Sequence, residues 1–430
     1  MKTKLLSLGI GILASANLFA QFNINIKFEG GNPGTEAYIY TLSGSKDILF
    51  KKEKLNGVTS LGIKYPKNYM GMMKVYFPDI NYSINFISEN KDVNLKLAIK
   101  DGKVVNVDYL DSSNRIMNDL QDIERKREYI LPALYQIAEY YKGNSDFSTA
   151  LSKEIEVLSD PKAIDLKDYP FVNFYKTNYS KYVQQSATSM ATQDEVIKFF
   201  QNSNELLETS SIMRPLLLSF INSTKGTSPE AVVNKLLAAV NLETFRGQNV
   251  LSELIEIFDA YGMVDLKNKY LNEATSLKCE INDRLSKTIQ TNASVQVGAT
   301  FANGDLMNAV NTSAKTLYDV KSKKKVIVFW SSGCSHCESE LPQFIPFYQE
   351  LKKQNIEIIG LSLDSEMNNY KAKANNYPWI SASELKGWNS SYVEKYNVHA
   401  TPYYYVLDEY NKIIAKPDHF RDVISFLGVK

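Results

Sequence analysis

The chain has 430 residues, about three times the commonest domain size, so two to three domains are expected. Lys and Arg number 49 against 48 Asp and Glu, a formal net charge of +1 that excludes an overall electrostatic nucleic-acid binder. With 44% hydrophobic and 23% charged residues, and no apolar run of the roughly 18 residues a spanning helix needs, the composition is that of a globular protein.

Residues 1–20 carry the pattern of a secretory signal. Lys2 and Lys4 give the positive start, Leu5 to Ala16 the short apolar stretch, and Ala20 before Gln21 a cleavage point. No cysteine precedes Cys279, so no N-terminal cysteine is available for lipid attachment. The expectation is a mature protein outside the cytoplasm, in the periplasm, soluble or peripheral to the envelope.

Residues 21–109 read as an all-β domain. Phe22, Ile24, Ile26 and Phe28 alternate, as do Val93, Leu95, Leu97 and Ile99, which is the period of a half-buried strand. Asn56-Gly57 and Asp101-Gly102 suit the positive φ angles of two-residue hairpin turns. The spacing of turns predicts a small antiparallel sandwich or barrel of about six to eight strands.

From 110 to 292 the period becomes helical. Ile116, Leu120, Ile123, Ile130, Leu134, Ile137 and Tyr141 recur as one helix face would. Thr192 with Glu195 is a capping box, Ser228-Pro229-Glu230 a helix start, and Gly262 a stop. An all-α region of about six to eight helices is expected, its apolar stripes forming core.

Residues 293–430 change pattern again. Val326 to Trp330 and Ile356 to Leu361 read as strands, with a helix striped by Leu341, Phe344, Ile345, Tyr348 and Leu351 between them. Pro402 to Leu407 and Lys412 to Ala415 read as a hairpin, and Asp418 to Leu427 as a closing helix. That order describes an α/β domain with a mixed sheet.

The chemistry falls at the first strand-to-helix junction. Cys334 and Cys337 are three residues apart at a helix start, so their sulfurs share a face. Free backbone N–H groups and the helix dipole favour a thiolate at Cys334, the form that attacks a disulfide. Cys337, one turn deeper, would resolve the mixed disulfide. A lone Cys-x-x-Cys can also be half of a zinc site or a structural disulfide. A structural zinc site needs four ligands, and Cys279, His336, His399 and His419 supply no second paired motif. A disulfide closing so short a loop adds little stability. No metal is expected, and no cofactor beyond a redox-active Cys334–Cys337 disulfide.

The stretch Phe329-Trp330-Ser-Ser-Gly333-Cys334-Ser-His336-Cys337-Glu-Ser-Glu340-Leu-Pro342 resembles the active site of TlpA-like and ResA-like thiol-disulfide oxidoreductases of the thioredoxin superfamily. Val297 to Phe301 resembles the segment that leads into these domains, and Asn397-Val-His-Ala-Thr401-Pro402 their loop ending in a cis-proline. The likeness covers about residues 293–430 and implies a thioredoxin-like fold there. It implies that Cys334 is the nucleophile and Cys337 the resolving thiol. It also implies that Glu340 handles the proton of Cys337, and that a cis Pro402 holds Thr401 where an extended partner segment can pair. Trp330, Gly333, His336, Thr401 and Pro402 would form the partner-binding surface. The sequence departs from the family at Gly333, where a bulky aromatic is usual, and at Val328, where thioredoxin has a buried Asp. His336 inside the motif would stabilise the thiolate.

Two other functions compete. A thiol peroxidase needs Pro and Thr at set positions before its reactive cysteine, and Ile327 and Ser331 stand there instead. In a binding or assembly factor, residues 21–290 would hold a partner and the redox domain would be accessory. The expected partners are protein thiols and disulfides with an upstream electron donor or acceptor. Cys279 is expected to be a buried small residue in a helix.

Overall fold

The computed structural model describes residues 22–143, 145–160, 164–183, 191–222 and 228–429. The expected signal, residues 1–20, lies outside the described residues. Among the described residues eight strands precede the α-helices: β1 (Phe22–Glu29), β2 (Glu36–Ser43), β3 (Lys46–Lys54), β4 (Ser60–Tyr65), β5 (Met70–Phe77), β6 (Tyr82–Glu89), β7 (Val93–Lys100) and β8 (Lys103–Tyr109). They form two four-stranded sheets, ordered β4-β1-β7-β8 and β3-β2-β5-β6. The antiparallel expectation fails at one pairing: β1 runs parallel to β7, with Ile24 opposite Val93. A parallel pair cannot be closed by a tight turn, so turn signals give no sign of it. The chain divides into two compact units, one of residues up to 33 with 57–71 and 86–172, the other of 34–56, 72–85 and 173–430.

In the first unit, β1 buries every second residue, as its alternation requires. Asp101 and Gly102 close the β7–β8 hairpin at φ 51° and 72°. The buried Glu89 carboxylate accepts from Ser113 Oγ at 2.8 Å and from Phe171 N at 2.8 Å. The predicted helical stripe is only half realised. Of that stripe Leu120 is buried and Ile116, Ile123 and Leu134 are partly buried, but Ile130, Ile137 and Tyr141 are exposed. A π-helical turn at Lys126–Ile130 intervenes before the Leu131–Tyr140 helix. Its wider turn rotates the stripe off the buried face.

The second unit holds a helical core around Phe200, Leu216, Leu236, Leu254, Phe258 and Tyr270. Among the described residues eleven α-helices lie between Ser112 and Ser294, more than expected, because polar breaks divide the periodic stretches into short helices. The Thr192–Glu195 capping box and the Ser228 cap are formed. The Phe245–Ala260 helix is buried on nearly all sides, so its two inward carboxylates need partners. Glu253 accepts from Ser45 N at 2.6 Å and pairs with Arg284 at 3.2 Å. Glu256 pairs with Arg284 at 2.6 Å and Lys46 at 3.5 Å. Gly44, at φ 64°, admits this: a Cβ there would stand 2.5 Å from Glu253 Oε1.

The same unit contains the C-terminal mixed sheet, ordered β11-β10-β9-β12-β13, from β9 (Lys324–Trp330), β10 (Ile356–Ser362), β11 (Ile380–Ser383), β12 (Tyr403–Asp408) and β13 (Ile413–Ala415). The central β9 pairs in parallel with β10 and antiparallel with β12. β11 is a strand the sequence pattern did not single out. Its four residues are all buried, so it shows no alternation. Apolar clusters cover both faces of the sheet. Phe301 stacks on Tyr396 at 4.3 Å, while Phe301 N donates to Asn411 O at 2.8 Å. No helix among the described residues is long and apolar enough to cross a membrane.

Candidate active site

β9 is buried from Lys325 to Trp330, and the chain leaves the sheet at Ser331. The turn is held from below by Asp364, just beyond β10. This buried carboxylate accepts from Ser332 N at 3.0 Å, Ser332 Oγ at 2.6 Å and Ser362 Oγ at 2.7 Å. Ser331 Oγ adds a fourth donor at 3.2 Å. Sequence reasoning passed over Asp364. The signal available was an Asp two residues after a largely apolar strand, a place where a carboxylate must find partners.

Cys334 is the N-cap of the Ser335–Glu340 helix and is partly exposed. Cys337 N donates to Cys334 Sγ at 3.2 Å, and Cys334 Sγ donates to the Thr401 carbonyl at 3.2 Å. The Thr401–Pro402 bond is cis. Cys337 is 1% exposed. Burial, reinforced by the adjacent Cys334, pushes its thiol up to about 12. Both cysteines are free thiols.

Glu340 does not meet either sulfur through a hydrogen bond. Its Oε2 accepts from Tyr404 OH at 3.0 Å and from Phe420 N at 2.9 Å, the first turn of the closing Phe420–Leu427 helix. Its Oε1 lies 3.1 Å from His419 Nδ1. Tyr404 shares a core cluster with Cys337. Burial first, then the Glu340 carboxylate and the two cysteines, drive its phenol far above the usual range. Tyr404 was not picked out in the sequence, where it reads as one more aromatic in a strand.

Gly333 is exposed, and a Cβ there would meet nothing within 4 Å. His336 is exposed on the helix start. Trp330 is corrected: at 1% exposure it packs edge-on to Tyr377 at 5.6 Å and cannot touch a partner. As the last residue of a strand covered on both faces, its side chain enters the core. Cys279 is also corrected. It lies partly exposed in the loop between the Val264–Ser276 and Asp283–Ser294 helices, 3.4 Å from Gln248 Nε2.

Residues 297–416 match the AhpC/TSA family model. Sporulation thiol-disulfide oxidoreductase A of Bacillus subtilis is 29% identical over 98 residues, 22% of this chain and 58% of that protein. Thiol-disulfide oxidoreductase ResA of Oceanobacillus iheyensis is 34% identical over 55 residues, 13% of this chain and 29% of that protein. The chain thus spans less than two thirds of the curated relatives it matches. The thioredoxin domain of a thiol-disulfide oxidoreductase from Bacteroides vulgatus covers 31% of this chain and 99% of its own, at 24% identity and a TM-score of 0.28. The C-terminal domain therefore resembles the TlpA/ResA-like domains of the thioredoxin superfamily.

Proposed function

We propose that the protein is an extracytoplasmic thiol-disulfide oxidoreductase that exchanges electron pairs with protein cysteines through Cys334 and Cys337. The observation that carries this reading is the inequality of the pair: a partly exposed sulfur at a helix N-cap, and a buried thiol three residues on. The names of the curated relatives support it, and the pattern of residues 1–20 supports the location.

The Cys334 thiolate attacks one sulfur of a client disulfide, forming a mixed disulfide and releasing a client thiolate. Cys337 then loses its proton and attacks Cys334 Sγ. The mixed disulfide breaks, the client leaves as a dithiol, and the protein keeps a Cys334–Cys337 disulfide. The reverse sequence oxidises a dithiol client. Because burial holds the Cys337 proton tightly, the second step needs an acceptor. Tyr404 passes that proton to Glu340 in this proposal, its hydroxyl giving one as it takes one. Thr401 offers backbone to an extended client segment, with Gly333, His336 and Pro402 around it. Residues 293–430 carry the chemistry, and 21–109 and 110–292 form the strand-rich and helical parts of the chain.

The test is reduction of a protein disulfide by the full chain with both cysteines reduced. Wild type should turn over, and Cys334→Ser should fall to background. Equal rates for the two would overturn the proposal.

A further inference from the structure

The loop that presents Thr401 is held at its base by a residue outside the thioredoxin-like domain. Asp259 is the second-last residue of the buried Phe245–Ala260 helix, and its side chain is 6% exposed. Its Oδ2 accepts from Asn397 Nδ2 at 2.6 Å and lies 3.5 Å from His399 Nε2. That His399 nitrogen is buried with no hydrogen-bond partner, so Asp259 is the charge it faces. On its other side Asp259 takes Lys267 Nζ at 2.9 Å. Burial opposes its charge, but His399, Lys267 and Lys416 overcome that and hold the carboxyl well below its usual range.

The geometry is that of a brace. Asn397 and His399 lie four and two residues before Thr401, whose carbonyl takes Cys334 Sγ at 3.2 Å. Just after Pro402, Tyr403 and Tyr405 carry Lys416 over their rings at 5.6 and 5.3 Å. One carboxylate of the helical region thus braces the chain leading into the Thr401–Pro402 bond. Asn397 itself sits at φ 52°, a left-handed conformation, so its side chain is aimed by a fixed turn.

We infer that Asp259 is a positioning residue for client capture, fixing the 397–401 loop so that the Thr401 backbone is preformed beside Cys334. Its kinetic consequence rests on the disulfide-exchange proposal above; its structural consequence does not.

The test uses the full chain and the variants Asp259→Ala, Asp259→Asn and Asn397→Gly. The glycine keeps the left-handed φ while removing the carboxamide. Amide hydrogen exchange across residues 397–402 should accelerate about tenfold in Asp259→Ala, with the remainder of the mixed sheet unchanged. KM for a protein disulfide should rise about fivefold with kcat nearly unchanged, because capture is weakened and the chemistry is not. Asp259→Asn, which retains an oxygen for Asn397, should fall between wild type and alanine. The Asp259→Ala/Asn397→Gly double variant should be no worse than the poorer single, the mark of one shared contact. If Asp259→Ala does not fold, Asn397→Gly alone is read by the same exchange and KM criteria. Unchanged amide exchange at 397–402, or additive effects in the double variant, would overturn the inference. A wild-type chain inert towards every protein disulfide would sink the functional proposal instead, and amide exchange would still decide the brace.

Discussion

The hydroxyl of Tyr404 donates to Glu340 Oε2 across 3.0 Å, and Tyr404 packs in the same core cluster as the buried thiol of Cys337. The carboxylate is therefore linked to the cluster that holds Cys337 through a phenol rather than by a direct bond to a sulfur. In the proposed mechanism a proton leaving Cys337 takes this route, which two substitutions interrupt separately. Tyr404→Phe and Glu340→Gln should each slow resolution of a mixed disulfide at neutral pH by at least about a hundredfold, the low end of general-base effects. Single-turnover release of a client from a preformed mixed disulfide measures this step. Wild-type release rates in both variants would remove Glu340 and Tyr404 from the chemistry.

The two cysteines should separate by alkylation. A thiol held at about 12 is a thiolate in only about one molecule in 10⁵ at pH 7, and Cys337 is buried as well. Limiting iodoacetamide at pH 7 should label Cys334 and leave Cys337 until the chain is unfolded. Mass mapping that finds Cys337 labelled first would reverse the assignment of roles.

Asp364 carries a stability prediction with a functional readout. Asp364→Ala leaves Ser332 N and three hydroxyls without their shared acceptor beneath the active-site turn. The expected cost is about 2–4 kcal/mol by denaturant titration, with slower client exchange at temperatures where the variant is folded. Unaltered stability would mean that water replaces the carboxylate.

The Glu253–Glu256–Arg284 network predicts an acid limb. Burial opposes the Glu256 charge, but Arg284, Lys46 and Arg214 win and lower its carboxyl from 4.5 to about 2. A depressed folded pKa contributes stability that is full above the unfolded value and lost as pH falls through the folded one. Stability should therefore decline between about pH 4.5 and 2. Glu256→Gln, which leaves Arg284 buried without this partner, should cost about 3–5 kcal/mol at neutral pH and flatten that decline. An unchanged acid limb in the variant would show that other groups set it.

Much of the C-terminal domain was legible because its signals are local. A continuous apolar run gave β9, the Cys-x-x-Cys spacing gave the pair, and Ala400-Thr401-Pro402 gave the loop. What stayed hidden depends on residues far apart in sequence. Asp364 reaches Ser332 across 32 positions, Tyr404 reaches Glu340 across 64, and Asp259 reaches Asn397 across 138. No periodicity encodes such pairs. Trp330 misled because an aromatic beside a Cys-x-x-Cys motif reads as surface, whereas sheet geometry turns it inward. The stripe through Ile137 misled because a single π turn changes which face a helical period describes.

The central claim is that Cys334 attacks and Cys337 resolves. Cys337→Ser in the full chain, incubated with an oxidised protein substrate and quenched with acid, measures this directly. The account predicts a covalent complex on a non-reducing gel, released by dithiothreitol and joined through Cys334 by mass spectrometry. The same experiment with Cys334→Ser should give none. A complex formed only by Cys334→Ser, joined through Cys337, would contradict it.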